Sequence, residues 1–370
     1  MTKTIPLSRP DITQLERNYV LDALASDTLS RGPMLQRFEQ AFAQQVGRTA
    51  TGVNSGTAAL HLALRLSGVA AGDEVVVPPF TVAATINTVW QTGATPVFVD
   101  IDESTMALDP QAFERAISPR TKAVIPVHPF GSLADMNAIT ERAKHQQIIV
   151  IEDACEALGS ATAKGAAGAL GDFAAFGFYP NKQITTGEGG MLIGSTDALH
   201  RAQRLRNHGR TMDGNWLDQL EPGYNYRLPE LSAAMGLAQL ERLDQIMACR
   251  QRVANRYHDH LGSLDSLTLP KPPPYQTTTS WFAYVVRVAG GRDRRDKLAQ
   301  LMSDQGIQCG RYFAPMHRQP AWRENVAEGQ LPIADRVADS VLALPFYNQL
   351  EDSAIDRVCQ VLADTLQRVP

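Results

Sequence analysis

Cysteine is scarce in this chain, with four residues in 370. Cys155, Cys249, Cys309 and Cys359 lie far apart, without the close spacing of a metal knuckle or a disulfide framework. Free thiols in a reducing compartment are the simplest reading. No apolar run approaches the ~20 residues that span a bilayer. The segment from Met1 to Pro6 lacks the apolar core of a signal peptide. A positive excess is missing too: the formal net charge is -4, so no basic field attracts nucleic acid or an anionic membrane. Internal repeats and low-complexity linkers are also absent. What is there is an ordinary globular composition, 44% hydrophobic and 20% charged. Together these features predict a cytoplasmic protein that binds neither nucleic acid nor membrane and carries no metal.

The length suits one large domain plus a smaller one. From about residue 48 to 195, short β-rich runs alternate with helical stretches. Glu74 to Val77 reads as a strand closed by Pro78 and Pro79, Thr81 to Gln91 as a helix, and Pro96 to Asp100 as the next strand. Lys122 to Val127 is a further β run. A helix follows around Ala134 to Lys144, then a buried strand at Ile148 to Ile151. Strands that are apolar throughout and alternate with helices predict a mostly parallel sheet covered on both faces. Leu228 to Leu243 is helical, and Lys271 to Pro274 is rigid punctuation. Trp281 to Val288 alternates like a strand, Asp293 to Gln305 looks helical, and Ser353 to Gln367 is an amphipathic terminal helix. The expected division is a large domain over residues 1–245 and a smaller α+β domain over 246–370.

Three segments carry chemistry. Asn54 to Leu60 follows a β run and opens a helix. Small residues there let backbone N–H groups and the helix dipole meet an anion, so Gly56 and Thr57 suit a phosphate seat. An ordinary Ser/Thr N-cap explains the same residues. Asp153 ends the buried run Val150-Ile151-Glu152-Asp153, where α/β folds place ligands. It could pair with a protonated pyridine nitrogen and keep a ring cationic as an electron sink; helix capping is the alternative. Lys182 sits in Phe178-Tyr179-Pro180-Asn181-Lys182-Gln183, before the turn Gly187-Glu188-Gly189-Gly190. Crowding of this kind desolvates an amine and favours its nucleophilic form. The turn matches neither a Walker A nor a dinucleotide fingerprint.

Seat, acid and lysine occur in that order, with Lys182 29 residues after Asp153. In this combination the chain resembles the DegT/DnrJ/EryC1/StrS family of sugar aminotransferases, fold-type-I pyridoxal-phosphate enzymes. The resemblance runs over nearly the whole length. It includes Ser55 to Leu60, Val99 to Asp102, Glu152 to Ala154, Pro180 to Gly190, Arg206 to Gly209 and Gly223 to Glu230. It implies an α/β fold with a large, mostly parallel sheet domain and a smaller α+β C-terminal domain. It implies that Lys182 holds pyridoxal 5'-phosphate as a Schiff base and moves the proton between two carbons. Asp153 would hold the pyridine nitrogen, and Gly56 and Thr57 the phosphate. Asn225 would reach that phosphate from the other subunit of a homodimer with shared active sites. His208, Arg227 and His317 are candidates for lining the sugar site, each equally readable as a satisfied structural side chain.

Three positions depart from the family. Glu156 stands where glutamine is usual, and a carboxylate there needs a neighbour that tunes it or must turn away. Gly177 replaces a serine that binds phosphate, so another donor must substitute. Val82 replaces an aromatic residue that stacks on the cofactor. The implied reaction transfers an amino group from an amino acid, most often L-glutamate, to a nucleotide-linked 3- or 4-keto-(6-deoxy)sugar, in polysaccharide or secondary-metabolite biosynthesis. A keto-cyclitol acceptor is the alternative. A sugar dehydratase of the same scaffold, which has histidine in place of the lysine, and a non-catalytic regulator both fit less well with Lys182 and Asp153 present.

Overall fold

The computed structural model describes residues 4–211, 218–327 and 329–369. Its centre is a seven-stranded sheet. The strands lie in the order Ala50–Val53, Gly190–Ile193, Phe173–Gly177, Ile149–Asp153, Thr121–Val124, Glu74–Val77 and Thr95–Phe98. The last five run parallel. Gly190–Ile193 is antiparallel to both of its neighbours, so Ala50–Val53 points the same way as the parallel set.

The apolar runs form strands because both faces of the sheet are covered. Val75 and Val77 join Ile125, Ile151 and the Gly56–Leu66 helix in one core, whereas Val76, Val124 and Val150 face the opposite one. This period-two division is what a strand of consecutive valines demands, and β-branched side chains fill a pleated surface well. A third core packs Phe38 and Phe42 against Phe176 and Phe178.

The C-terminal part has a three-stranded antiparallel sheet, in the order Leu267–Thr268, Tyr284–Val288 and Val341–Leu344. Leu298 and Met302 of the Gly291–Asp304 helix pack on it, with Ile355, Val358 and Leu362 of the Asp352–Arg368 helix. Ile5, near the other end of the chain, joins this core. The Leu243–Leu261 helix serves both bodies. Leu243 and Ile246 enter the large core, while Val253, Tyr257 and Leu261 enter the C-terminal one. Among the described residues, no helix is long and apolar enough to cross a membrane.

Candidate active site

Parallel strands present their carboxyl ends to one edge of the sheet, and ligands bind there in open α/β folds. Asp153 closes one such strand and Gly177 closes its neighbour. The register fixes their relation, since Asp153 lies opposite Ala175, and Val53 and Gly177 both lie opposite Gly190. The loops leaving Val53, Val77, Asp153 and Gly177 therefore meet. They enclose a cavity of about 360 Å³ lined by Gly56, Thr57, Val82, Asp153, Glu156, Gly177 and Lys182, with Phe282, Tyr312 and Phe313 from the C-terminal part.

One end of the cavity is the start of the Gly56–Leu66 helix. Ser55 caps it by accepting a bond from the Ala58 N–H at 3.0 Å. The capping reading thus falls on Ser55, which leaves Gly56 and Thr57 at the open helix start. The first N–H groups of a helix have no partner in its own ladder, and the dipole there favours negative charge. The glycine turn after the lysine now has a reason. A Cβ on Gly190 would stand 2.4 Å from the Ser55 carbonyl, so only glycine lets this strand run against the helix start. Gly177 lies beside Gly56, with the Cys155 thiol packed alongside both. At this end the side-chain hydroxyls are those of Ser55 and Thr57.

Asp153 is buried, and its carboxylate is fixed from behind. The Thr85 hydroxyl donates to Oδ2 at 2.8 Å, and Thr81 and Thr85 share a hydroxyl contact at 2.9 Å. Thr85 stands in the first turn of the helix that begins at Ala83. Val82 is the extended N-cap of that helix, 41% exposed and facing the cavity.

Lys182 and Glu156 form an ion pair. Lys182 Nζ donates to Glu156 Oε1 at 3.1 Å, while Glu156 Oε2 accepts from the Phe130 N–H at 3.0 Å. The amine also sits 4.3 Å from the Phe282 ring centroid, where the ring face attracts a cation. Burial pushes the Glu156 carboxyl above the usual carboxylate range, although the Lys182 ammonium pulls it the other way. The departure from glutamine therefore does not leave a loose charge, because the lysine is its tuning neighbour. Behind Lys182, the buried Arg250 guanidinium donates to the carbonyls of Lys182, Trp281 and Phe282, tying the lysine loop to the C-terminal part.

Four of the residues that the resemblance implies do not line this cavity. Asn225 lies beside Asn54, whose side chain donates to its carbonyl. His208 has a left-handed backbone with φ 62°, and Arg227 donates to Asn207. His317 is buried and joined to Asp335 at 2.9 Å. The sequence reading missed Thr85, Phe282, Tyr312 and Phe313. Thr85 occurs four residues after Thr81 with only apolar residues between them, which marks a polar contact to be found. Nothing local distinguishes Phe282 from a core aromatic residue.

These groups fit pyridoxal phosphate. The helix start offers an anion seat, Asp153 is a fixed buried acid, Lys182 is an amine at the cavity wall, and the remaining walls are largely apolar. Similarity to known proteins agrees. The DegT/DnrJ/EryC1/StrS aminotransferase family matches residues 10–363. The GDP-perosamine synthase of Caulobacter vibrioides is 40% identical, covering 98% of this chain and 98% of its own. The spore coat polysaccharide biosynthesis protein SpsC of Bacillus subtilis is 37% identical over 98% of this chain and 97% of its own. Spr1654 of Streptococcus pneumoniae, solved in a PLP form, superposes with a TM-score of 0.95 at 27% identity, covering 99% of this chain and 100% of that one. Matched over residues 10–363 and 40% identical to a relative along nearly its whole length, the chain belongs to the DegT/DnrJ/EryC1/StrS family of pyridoxal-phosphate-dependent aminotransferases.

Proposed function

We propose that this enzyme moves the amino group of L-glutamate to a keto-sugar carried on a nucleoside diphosphate, with Lys182 as the residue that holds the cofactor and moves the proton. The observation that carries the proposal is the single cavity shared by the Lys182 amine, the Asp153 carboxylate and the helix start at Gly56. Bound there, pyridoxal phosphate supplies an aldehyde that exchanges amines and a ring that draws electrons from the substrate carbon. Lys182 would yield its place on the cofactor to the incoming donor's amine, and its freed Nζ would then accept or return a proton. Asp153, held by Thr85, presents a negative charge to a protonated ring nitrogen. Gly56 and Thr57 bind the phosphate through the helix start. Val82, Phe282, Tyr312 and Phe313 make an apolar wall that excludes water.

A nucleotide-linked acceptor is supported by the GDP-linked product named for the Caulobacter relative, and a role in polysaccharide biosynthesis by the name of SpsC. We further propose a cytoplasmic homodimer in which Asn225 reaches the partner's phosphate seat. Exposed Trp90 and Tyr179 offer apolar surface for the second subunit. The test is a screen of nucleotide keto-sugars and keto-cyclitols against protein first treated with glutamate, read by mass spectrometry. An aminated nucleotide sugar is expected with wild type and none with Lys182→Ala. Amination of cyclitols alone would overturn the sugar assignment. Equal product from Lys182→Ala would overturn the role of Lys182.

A further inference from the structure

The amine proposed above must be neutral to attack a carbonyl or take a proton, yet it is found against a carboxylate. Lys182 Nζ and Glu156 Oε1 are 3.1 Å apart, and both side chains are largely shielded, with 14% and 8% of their surface exposed. Solvent reaches the pair only through the cavity that it lines. The other titratable groups facing the pair are few. Asp153 and Cys155 come from the same strand and loop, Tyr312 from the C-terminal part, and Tyr179 and Glu188 line the same cavity. Asp153 is bonded to Thr85, and burial pushes both the Cys155 thiol and the Tyr312 phenol up, away from proton uptake or release near neutrality. Among the described residues, Glu156 is the titratable side chain bonded to the amine.

We infer that Glu156 is the proton partner of Lys182, a catalytic residue that sets when the amine is charged. In the step, an Nζ–H bond breaks and an Oε1–H bond forms. Ammonium and carboxylate become amine and carboxylic acid, with no electrons gained or lost. The Phe130 N–H holds the second oxygen in place through the exchange. Reversal recharges the amine after it has acted. Glutamine, usual in the family, fills the same volume but cannot take the proton.

This inference rests on the role proposed for Lys182, and the experiment separates the two. Full-length protein freed of cofactor is treated with pyridoxal phosphate and cyanoborohydride over a range of pH, and label on Lys182 is measured by peptide mass spectrometry. Removing a carboxylate at this distance lowers the pH at which a lysine discharges, so the Glu156→Gln midpoint is expected about one pH unit or more below wild type. Glu156→Asp, which keeps the charge, is expected between the two. Coincident wild-type and Glu156→Gln midpoints overturn the inference, whereas no label on Lys182 in wild type overturns the functional proposal instead. Proton transfer is distinguished from simple charge pairing by buffer. The glutamate half-reaction of Glu156→Gln is expected to accelerate with added imidazole while wild type does not; equal indifference to buffer overturns the proton step. Should Glu156→Gln fail to fold, Lys182→Met provides the reading. With the ammonium gone, infrared difference spectra should gain a protonated-carboxyl band, and its absence counts against the pair.

Discussion

The site works through charges held in place by neighbours that are themselves held. Asp153 depends on Thr85, because a buried carboxylate swings or takes up a proton unless a donor fixes it. Thr85→Val removes that donor without changing the shape. Lost hydrogen bonds to charged groups are worth about 1.5 kcal/mol or more, so pyridoxal phosphate should bind about tenfold more weakly. Thr85→Ser should restore most of the affinity. Equilibrium titration of the visible band checks both, and equal affinities for Thr85→Val and wild type would show that Asp153 does not need the hydroxyl. This network was only half legible in the sequence. Lys182, Asp153, Gly56 and Thr57 announce themselves by residue type and order. Thr85 and Phe282 do not, since their roles arise from contacts with residues 68 and 100 positions away.

Among the elements, strands with strong apolar patterns and amphipathic helices are legible to within a few residues. The predicted Ala134–Lys144 helix is Met136–His145, and the predicted Ser353–Gln367 helix is Asp352–Arg368. The helix read from Thr81 starts at Ala83 because Val82 takes the extended cap conformation. The antiparallel direction of Gly190–Ile193 was not legible, nor was the ribbon joining Ala161–Ala166 to Gln276–Thr278. Strand direction and partner choice depend on what the rest of the chain leaves available, not on the local pattern. Gly190 is where this sheet geometry meets the start of the Gly56–Leu66 helix. A methyl group there strikes the Ser55 backbone, which cannot swing aside as a side chain could. Gly190→Ala should lower stability by about 1–3 kcal/mol and weaken phosphate binding. Denaturant unfolding with and without inorganic phosphate tests this; an unchanged midpoint would mean that the strand has room to retreat.

At the scale of the molecule, the Gln14–Leu24 helix is locked to the junction of the Glu230–Glu241 and Leu243–Leu261 helices. Glu16 caps its own helix through Thr13 and reaches Arg242 and Gln239. Burial alone would raise its pKa, but the bonds from Thr13 and Arg242 outweigh this and hold it at about 2, against 4.5 for a free glutamate. A carboxyl that binds its proton more weakly when folded stabilises the fold at neutral pH. That contribution is lost as pH falls from about 4.5 to about 2. Urea unfolding across this window should show a loss of stability that Glu16→Gln flattens, and parallel curves would assign the acid sensitivity elsewhere. At the same scale Arg250 ties the lysine loop to the C-terminal part, donating to the Lys182 carbonyl on one side and to those of Trp281 and Phe282 on the other.

The central claim is that one amine, at Lys182, carries the cofactor in a cavity whose far acid is Asp153. Borohydride reduction of the pyridoxal-phosphate-loaded protein, followed by peptide mass spectrometry, tests it most directly. The phosphopyridoxyl group should be found on Lys182, and Lys182→Ala should carry none. A label on another lysine, or the same label retained by Lys182→Ala, would contradict the account.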